Sequence, residues 1–440
     1  MPDRPVVISA TGTTSYGECL QRGERIARGL ADRGVERFGS ALDDAADNLA
    51  VLVASSAIGS EACLYPPDLD AAQAAALSSR FGHAVVITSR DGVLDAGVTL
   101  DDLEHPGELT NPPPEQAPVL ILTTGTTGAQ QGARHDWRLL IDAAARHRDE
   151  RPGNRWLLAY NPNQFAGIQV LVHVLASHGT LVVPASRRPV DVIAAIREHS
   201  VTHASGTPTF WRLLTGTLNE DRATQLPLRQ ITLGGEAAPQ DLLDKLQRLF
   251  PAARISHVYA GTEVGSVVAV HDGRAGLPVS VLDRGPSAEV QLRIVDGELR
   301  IRSRVGMLGY HGRGYDYGEW RRTGDLVEVD DDRIHFVGRK TEIINVGGAK
   351  IHPLPVEELI CSVEGVELAA VYGQPNPITG QIVAVDVVAS PDADPGDLPT
   401  RIHERCRELP PAGRPRRIRI VPELDTRGSK VLRHEAPAGA

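Results

Sequence analysis

Residues 119–136 read Val-Leu-Ile-Leu-Thr-Thr-Gly-Thr-Thr-Gly-Ala-Gln-Gln-Gly-Ala-Arg-His-Asp. An apolar run that stops at a loop of threonine and glycine predicts a buried strand followed by a phosphate-binding turn. Glycine lets the backbone approach an anion closely, and successive N–H groups form a concavity to which hydroxyl groups add donors. The residues that we expect to contact phosphate are Thr123, Thr124, Gly125, Thr126, Thr127 and Gly128.

This loop differs from two familiar nucleotide-binding patterns. Its spacing matches neither the GxxxxGK[ST] loop of P-loop NTPases nor the GxGxxG turn of dinucleotide-binding folds. A loop of threonine and glycine also fits an ordinary surface loop. The stretch therefore needs support from the rest of the chain before it indicates a function.

The composition describes an ordinary globular protein with more than one domain. The chain has 440 residues, of which 41% are hydrophobic and 23% charged. A formal net charge of −10 argues against a nucleic-acid partner, because phosphate neutralisation needs a basic surface. We see no apolar stretch long enough to cross a bilayer and no signal peptide, so we expect a cytoplasmic location without membrane partners.

Further motifs follow in order along the chain. They are Gly-Gly-Glu-Ala-Ala-Pro (234–239), Tyr-Ala-Gly-Thr-Glu (259–263), Thr-Gly-Asp (323–325), Gly-Arg-Lys-Thr-Glu-Ile-Ile (338–344), Val-Gly-Gly-Ala-Lys-Ile-His-Pro (346–353) and Thr-Arg-Gly-Ser-Lys-Val-Leu-Arg (426–433). With the first loop, they resemble the signatures of the adenylate-forming superfamily, which contains acyl-CoA synthetases, aryl acid ligases, nonribosomal adenylation domains and firefly luciferases. The ordered matches cover most of the chain, so it is identified as a member.

The resemblance implies a large N-terminal domain that binds ATP and the acid, over residues 1–338, and a small mobile α+β domain over 339–440. The pattern of residues supports this α/β fold class. Strands and helices alternate from Trp156 to Tyr259, which predicts layered α/β subdomains with mostly parallel strands. After about residue 280, one hairpin with an Asp-Gly turn at 296–297 and a second hairpin around the three aspartates at 330–332 predict a β-rich subdomain. Residues 35 to about 100 look shorter than is usual for the family, and we assign no elements there.

The family resemblance also implies roles for residues at the nucleotide. Glu263 is the expected Mg²⁺ ligand, because hard cations prefer carboxylate oxygens and share them with phosphate. Thr262 is expected to donate to the α-phosphate, and Tyr259 to present an aromatic face to adenine. Asp325 and Arg339 are expected at the ribose hydroxyls. Each also has an ordinary interpretation, as a helix start, a turn aspartate or a surface ion pair. Gly235, Glu236 and Ala260 complete the expected ATP- and AMP-binding set.

The C-terminal motifs resemble the moving parts of the family. Lys430 is implied to bridge the substrate carboxylate and the α-phosphate, although taken alone it is only an exposed lysine. Thr341 occupies the position of the hinge about which the small domain rotates between two half-reactions. Gly347 and Gly348 resemble the loop that lines the entry of a pantetheine thiol, and Lys350 could meet that partner or be solvated.

The first signature departs from the family pattern. Gln130-Gln131-Gly132 stands where Pro-Lys-Gly is usual, and we expect Arg134 to take over the missing lysine's contact with the β- and γ-phosphates. The alternative is that Arg134 pairs with Asp136 in solvent.

The expected acid pocket also departs from the family. Ala260 replaces a glycine, and Gln164, followed by Phe165, lies where many members have a histidine. Gly234 and Gly261 are the other residues expected in the pocket. These departures favour an aryl or short unsaturated acid over a long fatty acid.

The predicted activity is therefore AMP-forming acid ligation in secondary metabolism. ATP and Mg²⁺ would activate a small carboxylic acid as an acyl-AMP, which then forms a thioester with CoA or a carrier protein. Two alternatives stay open: adenylation of nitrite for diazo or hydrazide formation, and a non-catalytic member of the family that only binds nucleotide. The oligomeric state is not predicted.

Overall fold

The computed structural model of the chain describes residues 2–66, 69–89, 97–107, 109, 114–124, 130–146, 153–314, 316–390, 393–427 and 430–434. Its α-helices are, in chain order, α1 (Tyr16–Asp32), α2 (Ala45–Ile58), α3 (Ala71–Phe81), α4 (Trp137–Ala145), α5 (Phe165–Ala176), α6 (Pro189–Glu198), α7 (Pro208–Gly216), α8 (Glu220–Ala223), α9 (Gln240–Leu249), α10 (Pro353–Cys361) and α11 (Leu398–Arg405).

The strands of the first half are β1 (Pro5–Ser9), β2 (Gly12–Ser15), β3 (Arg37–Ala41), β4 (Glu61–Leu64), β5 (Val85–Thr88), β6 (Gly97–Val98), β7 (Pro118–Thr124), β8 (Gln130–Asp136), β9 (Arg155–Leu158), β10 (Thr180–Val182), β11 (His203–Gly206), β12 (Gln230–Gly234), β13 (Arg254–Gly261) and β14 (Gly265–Val270). Those of the second half are β15 (Leu277–Pro278), β16 (Val290–Val295), β17 (Glu298–Ser303), β18 (Gly309–Tyr310), β19 (Arg321–Asp330), β20 (Arg333–Arg339), β21 (Ile344–Val346), β22 (Ala349–Ile351), β23 (Val366–Asn376), β24 (Gly380–Ala389), β25 (Arg417–Ile420), β26 (Thr426–Arg427) and β27 (Lys430–Val431).

Local sequence sets several helix ends. At the start of α1, the Ser15 side chain accepts from the backbone N–H of Glu18, whose carboxylate accepts in return from the backbone of Ser15. This capping box satisfies two donors that the helix cannot satisfy internally. The side chains of Asp44 and Asp70 likewise accept from backbone N–H groups in the first turns of α2 and α3. The first turns of these helices are thus fixed by residues next to them in sequence.

Two sheets of mostly parallel strands form the large domain. The first has the order β14-β13-β12-β11-β9-β10-β1-β2, with antiparallel β2 and β14 at its edges. The second has the order β18-β8-β7-β4-β3-β5-β6. One continuous apolar core contains residues of both sheets and of α1, α2, α4 and α5, so these helices lie between the sheets. The layered α/β architecture predicted from the sequence is confirmed.

Most of the second sheet comes from the region in which we assigned no elements. Strands β3 to β6 are two to five residues long and lie between residues 37 and 98. Strand β4 is buried throughout, so it lacks the alternation of apolar and polar residues that marks a strand with one exposed face. Parallel pairing to β3 and β7, not local pattern, defines it.

The C-terminal half is built from smaller sheets. An antiparallel sheet of order β15-β20-β19-β17-β16 contains both predicted hairpins, and Asp296 and Gly297 have the positive φ of the expected turn. The last domain packs α10 and α11 against the β22-β21-β24-β23 sheet, with β25 parallel to β24. A two-stranded ribbon of β26 and β27 ends the described chain. Within the described residues, no helix is both long and apolar enough to span a bilayer.

We predict that Trp211→Ala destabilises the large domain by about 3–5 kcal/mol. Trp211 is fully buried in the core on the outer face of the first sheet, and its indole N–H donates to the Thr232 carbonyl (3.1 Å). Urea unfolding measures the loss. Trp211→Phe, which keeps most of the apolar volume, should cost clearly less. Equal costs would show that the hydrogen bond rather than packing dominates.

Candidate active site

The β19–β20 hairpin presents a carboxylate that is held from two sides. Asp325 and Arg339 oppose each other in the antiparallel ladder, and Arg339 Nε lies 3.0 Å from Asp325 Oδ1. The hydroxyl of Tyr259 donates to Asp325 Oδ2 at 2.7 Å. Since each carboxylate oxygen has two lone pairs, both oxygens keep acceptor capacity for a second donor. The arrangement suits a group with two neighbouring hydroxyls, such as a ribose.

Tyr259 is held by its ring as well as by its hydroxyl. Its ring packs against Phe336 on β20, with centroids 4.9 Å apart. Burial, together with the charge of Asp325, raises the pKa of the Tyr259 phenol well above its usual value, so the group stays protonated and donates. Tyr259 therefore orients Asp325 in addition to any contact that its ring makes with a base.

The loop between β13 and β14 is held at three consecutive carbonyls. The carbonyl oxygens of the Thr262–Val264 loop accept, in chain order, from Nε2–H of His135 (2.8 Å), the backbone N–H of Met307 (3.2 Å) and the hydroxyl of Ser303 (2.7 Å). These donors come from two separate segments, β8 and the end of β17 with the residues after it. Gly306 allows the close approach, because a Cβ there would lie 2.4 Å from the Glu263 carbonyl oxygen. The direction of the loop is thus fixed by tertiary contacts.

The Glu263 carboxylate projects from this loop. It is partly exposed, and the hydroxyl of Tyr310 donates to Oε1 at 3.1 Å. Tyr310 lies on β18, which pairs with β8 at Ala133. A partly solvated carboxylate fits a magnesium ion that arrives with ATP, since such an ion keeps several water ligands and shares phosphate oxygens.

His135 connects the loop to the expected acid pocket. Its ring is 5.2 Å from the ring of Phe165 and is almost completely buried. Burial lowers the pKa of His135 to about 4, although the hydrogen bond to Thr262 opposes the shift. The imidazole is therefore neutral at pH 7, and the carbonyl partner assigns its proton to Nε2.

The loop that we expected to bind phosphate is described only at its two ends. Gly125, Thr126, Thr127 and Gly128 lie outside the described residues, as does the side chain of Thr124. Strands β7 and β8 flank the loop and pair antiparallel, with Thr123 opposite Gln131 at its base. Gln131 is thus at the root of a hairpin whose tip is the glycine- and threonine-rich stretch.

Arg134 has a different partner from the phosphates that the sequence analysis expected. Its Nε donates to Glu61 Oε2, and the Glu61 side chain is only 3% exposed. Side chains alternate between the two faces of a strand, so Arg134 points away from the face on which His135 contacts Thr262. The structure therefore gives Arg134 an ion pair within the second sheet. The solvent pair with Asp136 is not formed either, because Asp136 caps α4.

The Gly-Gly-Glu loop follows β12 at the carboxyl end of the first sheet. Gly235 has φ +86°, a conformation that side chains rarely adopt, and the hydroxyl of Tyr160 donates to the Gly234 carbonyl at 3.1 Å. The Glu236 carboxylate accepts from the backbone N–H and the hydroxyl of Thr209, at 3.1 and 2.8 Å. Its other oxygen accepts from the backbone N–H of Val431, at 3.3 Å.

The expected pocket residues lie close to this loop. Gln164 precedes the first residue of α5, Phe165, and gives α5 no side-chain cap. Ala260 opposes Ser266 beside an irregularity in the β13–β14 ladder and packs against the core between the two sheets. A Cβ at Gly261 would lie 3.1 Å from the Val264 side chain, so space there is limited. The structure brings these residues to one end of the first sheet.

A separate cavity of about 230 Å³ lies beyond Tyr160, at the carboxyl ends of β9 and β10. Its lining includes Asn161, Asn163 and Arg187, and Arg187 donates to the amide oxygen of Asn161. Two amides and a guanidinium therefore give part of this cavity a polar wall.

The small-domain residues occupy turns. Thr341 lies in a 3₁₀ turn, Lys340–Glu342, directly after β20. Gly347 and Gly348 have φ values of +57° and +91° and form the turn between β21 and β22, and Lys350 lies on β22. The backbone of Lys430 pairs with that of Arg427, while its side chain lies outside the described residues. A 3₁₀ turn between two sheets suits the hinge predicted at Thr341.

Sequence reasoning did not single out His135, Tyr310, Phe336 or Tyr160. His135 lies in β8 among glutamine, arginine and aspartate residues, so its sequence gave no signal that this side chain is buried and needs a partner. The other three are aromatic residues in strands or at strand ends, where packing is the ordinary interpretation. Their contacts join segments far apart in sequence, so no local pattern reveals them.

Two family models match the chain. The model of AMP-binding enzymes matches residues 1–311, and the model of the C-terminal domain of these enzymes matches residues 355–430. The chain therefore belongs to the AMP-binding enzyme family, which confirms the superfamily predicted from the motifs.

Individual proteins agree with this assignment. A feruloyl-CoA synthase of an Amycolatopsis species is 27% identical, over 96% of this chain and 93% of that protein. A medium/long-chain-fatty-acid–[acyl-carrier-protein] ligase of Mycobacterium tuberculosis is 26% identical, over 99% of this chain and 86% of that protein. Both alignments span nearly the whole chain.

Solved structures show the same fold. An anthranilate CoA ligase in complex with anthranoyl-AMP superposes with a TM-score of 0.84 at 19% identity, over 98% of this chain and 93% of that chain. The o-succinylbenzoate CoA synthetase of Bacillus subtilis, in complex with ATP and magnesium ion, gives 0.76 at 22% identity, over 98% and 96%. At these identities the likeness establishes the architecture and not the substrate.

We predict that the His135→Gln variant loses less stability in acid than the wild type. The folded pKa of about 4 lies below the ordinary value of 6.5, so the unfolded chain binds a proton first as the pH falls. The contribution is present above pH 6.5 and is lost toward pH 4, amounting to about 2 kcal/mol between pH 8 and pH 5. Urea unfolding of both proteins at the two pH values measures the difference. An equal loss in both would mean that His135 is protonated in the folded protein.

We also predict that Glu263→Gln raises the Mg²⁺ concentration for half-maximal activity about tenfold, equivalent to about 1.4 kcal/mol. A neutral amide is a poorer ligand for a hard cation, while its oxygen can still accept from Tyr310. Titration of Mg²⁺ at fixed ATP, with Tyr310→Phe as the matched control, separates loss of charge from loss of the hydrogen bond. An unchanged Mg²⁺ requirement would place the ion elsewhere.

Proposed function

We propose that this protein activates a small carboxylic acid with MgATP and transfers the acyl group to a thiol. The observation that carries the proposal is the hydrogen bond from the Val431 backbone to Glu236. It brings the segment of Lys430, near the end of the chain, to the loop that follows β12. Asp325 on β19 and Glu263 in the loop between β13 and β14 would bind the ribose and the magnesium ion.

In the first half-reaction, a carboxylate oxygen of the acid attacks the α-phosphorus of ATP. The bond from that phosphorus to the oxygen bridging the α- and β-phosphates breaks, and pyrophosphate leaves with the bond's electrons. Negative charge on the α-phosphate oxygens would be stabilised by the Thr262 hydroxyl and the Lys430 ammonium group. Asp325, held by Tyr259 and Arg339, would fix the ribose and hence the position of the phosphorus.

We assign the substrate to aryl or short unsaturated acids. Phe165 and Ala260 offer apolar surface, while the limited space at Gly261 argues against a wide channel along this wall. The relatives named above include a feruloyl-CoA synthase, and the structural neighbours include an anthranilate ligase. Both names denote aromatic acids, which supports this class.

In the second half-reaction, the thiol of CoA or of a carrier-protein pantetheine attacks the acyl carbon, and AMP leaves. The turn of Gly347 and Gly348 would line the thiol's path after rotation about Thr341. The relatives include a CoA-dependent synthase and a carrier-protein ligase, so both acceptors belong in the test.

A panel of acids tests the proposal by ATP–pyrophosphate exchange. It contains ferulate, anthranilate, benzoate, cinnamate, a medium-chain fatty acid, an amino acid and nitrite. Exchange with an aromatic or unsaturated acid, followed by thioester formation with CoA or a pantetheinylated carrier, supports it. Exchange with the fatty acid alone would overturn the substrate class. Exchange with nitrite alone would replace the reaction, and nucleotide binding with no exchange would favour a non-catalytic protein.

We predict that Lys430→Ala lowers the rate of exchange about 10²–10³-fold, or roughly 3–4 kcal/mol, because a positioned cation acts on charge that develops in the transition state. The unfolding midpoint should stay at the wild-type value. Lys350→Ala, another lysine of the small domain, is the matched control and should retain exchange. Wild-type exchange in Lys430→Ala would remove this residue from the mechanism.

A further inference from the structure

The ribbon of β26 and β27 is fixed to the large domain through one carboxylate. Glu236 uses one oxygen for Thr209, the second residue of α7, and the other for the Val431 N–H. Thr209 and Glu236 both belong to the large domain, whereas Val431 belongs to the small one. This contact therefore exists only while the two domains are docked in this arrangement.

The same ribbon is fixed to its own domain through Arg433. Its Nε and Nη2 donate to the two oxygens of Glu357, at 2.7 and 2.9 Å, and its Nη1 donates to Glu342 Oε2 at 3.0 Å. Parallel hydrogen bonds between a guanidinium and a carboxylate define direction as well as distance. The guanidinium is thus held in a single orientation between two carboxylates.

The partners of Arg433 are themselves positioned. Glu357 is buried on α10 and also accepts from the backbone N–H of Val371 on β23, at 2.9 Å. Glu342 ends the 3₁₀ turn that contains Thr341. The Arg433 side chain is only 20% exposed, and although burial opposes its charge, the hydrogen bonds to Glu357 raise its pKa above the ordinary value. Arg433 therefore links the ribbon to the hinge turn and to the core of the small domain.

We infer that Arg433 is a positioning residue for Lys430. Only two residues separate them, so a fixed Arg433 fixes the backbone from which the lysine side chain projects. Because Glu342, Glu357 and Arg433 all lie after residue 339, this link would travel with the small domain, and Glu236 would be the surface on which the ribbon docks. The inference rests on the proposed adenylation, in which Lys430 contacts the α-phosphate.

The kinetic test compares Arg433→Gln with wild type, using the acid that gives the fastest exchange. We expect kcat for exchange to fall 10- to 100-fold, while the KM values for ATP and acid change less than about threefold, because misplacing a catalytic group costs rate rather than binding. Arg433→Lys, which keeps a charge beside Glu357 but loses the parallel hydrogen bonds, should recover part of the loss. Arg401→Gln is the matched control, since Arg401 faces a Glu364 side chain that is 97% exposed.

Arg433→Gln leaves buried Glu357 without its cation and could unfold the small domain. The pair Arg433→Met with Glu357→Gln removes both charges while keeping similar volume. We expect this double variant to unfold at the wild-type urea concentration and still to lose kcat. Recovery of wild-type kcat in the folded double variant would overturn the inference.

A second measurement is independent of catalysis. The lysines of the chain are Lys245, Lys340, Lys350 and Lys430, so lysyl endopeptidase can cut the native protein at few places. Loss of the Arg433 link should speed cleavage after Lys430 at least tenfold, with cleavage after Lys350 unchanged as the internal reference. Unchanged cleavage after Lys430, or fast cleavage with wild-type kcat, would overturn the inference. If the wild type exchanges with no acid, the proposed function fails, and the positioning role fails with it even where the cleavage result shows the link.

Discussion

The Thr262–Val264 loop depends on hydrogen bonds that its own sequence does not supply. Its carbonyls are held by His135 on β8 and by Ser303 and Met307 at and after the end of β17, two segments that are distant from the loop in sequence. Hydrogen bonds at consecutive carbonyls hold the backbone of the loop, and they therefore fix the position from which the Glu263 side chain projects. Preorganisation of this kind lets a site meet developing charge without rearranging at the moment of reaction.

His135 shows how one buried polar side chain couples two parts of a site. Its N–H fixes the loop that carries Glu263, and its ring contacts Phe165 at the start of α5. A change at Phe165 can therefore shift the loop through a single imidazole. The low pKa that burial gives the ring keeps this contact neutral, so the hydrogen bond has a constant direction over the physiological range.

Carboxylates hold the Lys430 segment on two sides, one in the large domain and two in the small domain. Glu236 accepts from the backbone of Val431, while Arg433 is tied to Glu357 and Glu342 inside the small domain. The hydrogen bond from Val431 to Glu236 is more easily broken than the buried bidentate ion pair of Arg433 with Glu357. This difference suits the proposed rotation, in which the ribbon would leave Glu236 while it stays fixed within the small domain.

The sequence by itself determined the family, the order of the motifs and the larger helices and hairpins, because periodicity, caps and turn residues act over a few neighbouring positions. It also predicted Asp325 and Glu263 as candidate ligands, although their roles stay predictions. Only the tertiary structure decided the second sheet, because its short buried strands lack the alternation of apolar and polar residues. It also decided the partner of Arg134, because that partner depends on the face of β8 to which the side chain points. Contacts such as Tyr259 with Asp325 join residues 66 positions apart, and no local pattern encodes which distant groups will meet.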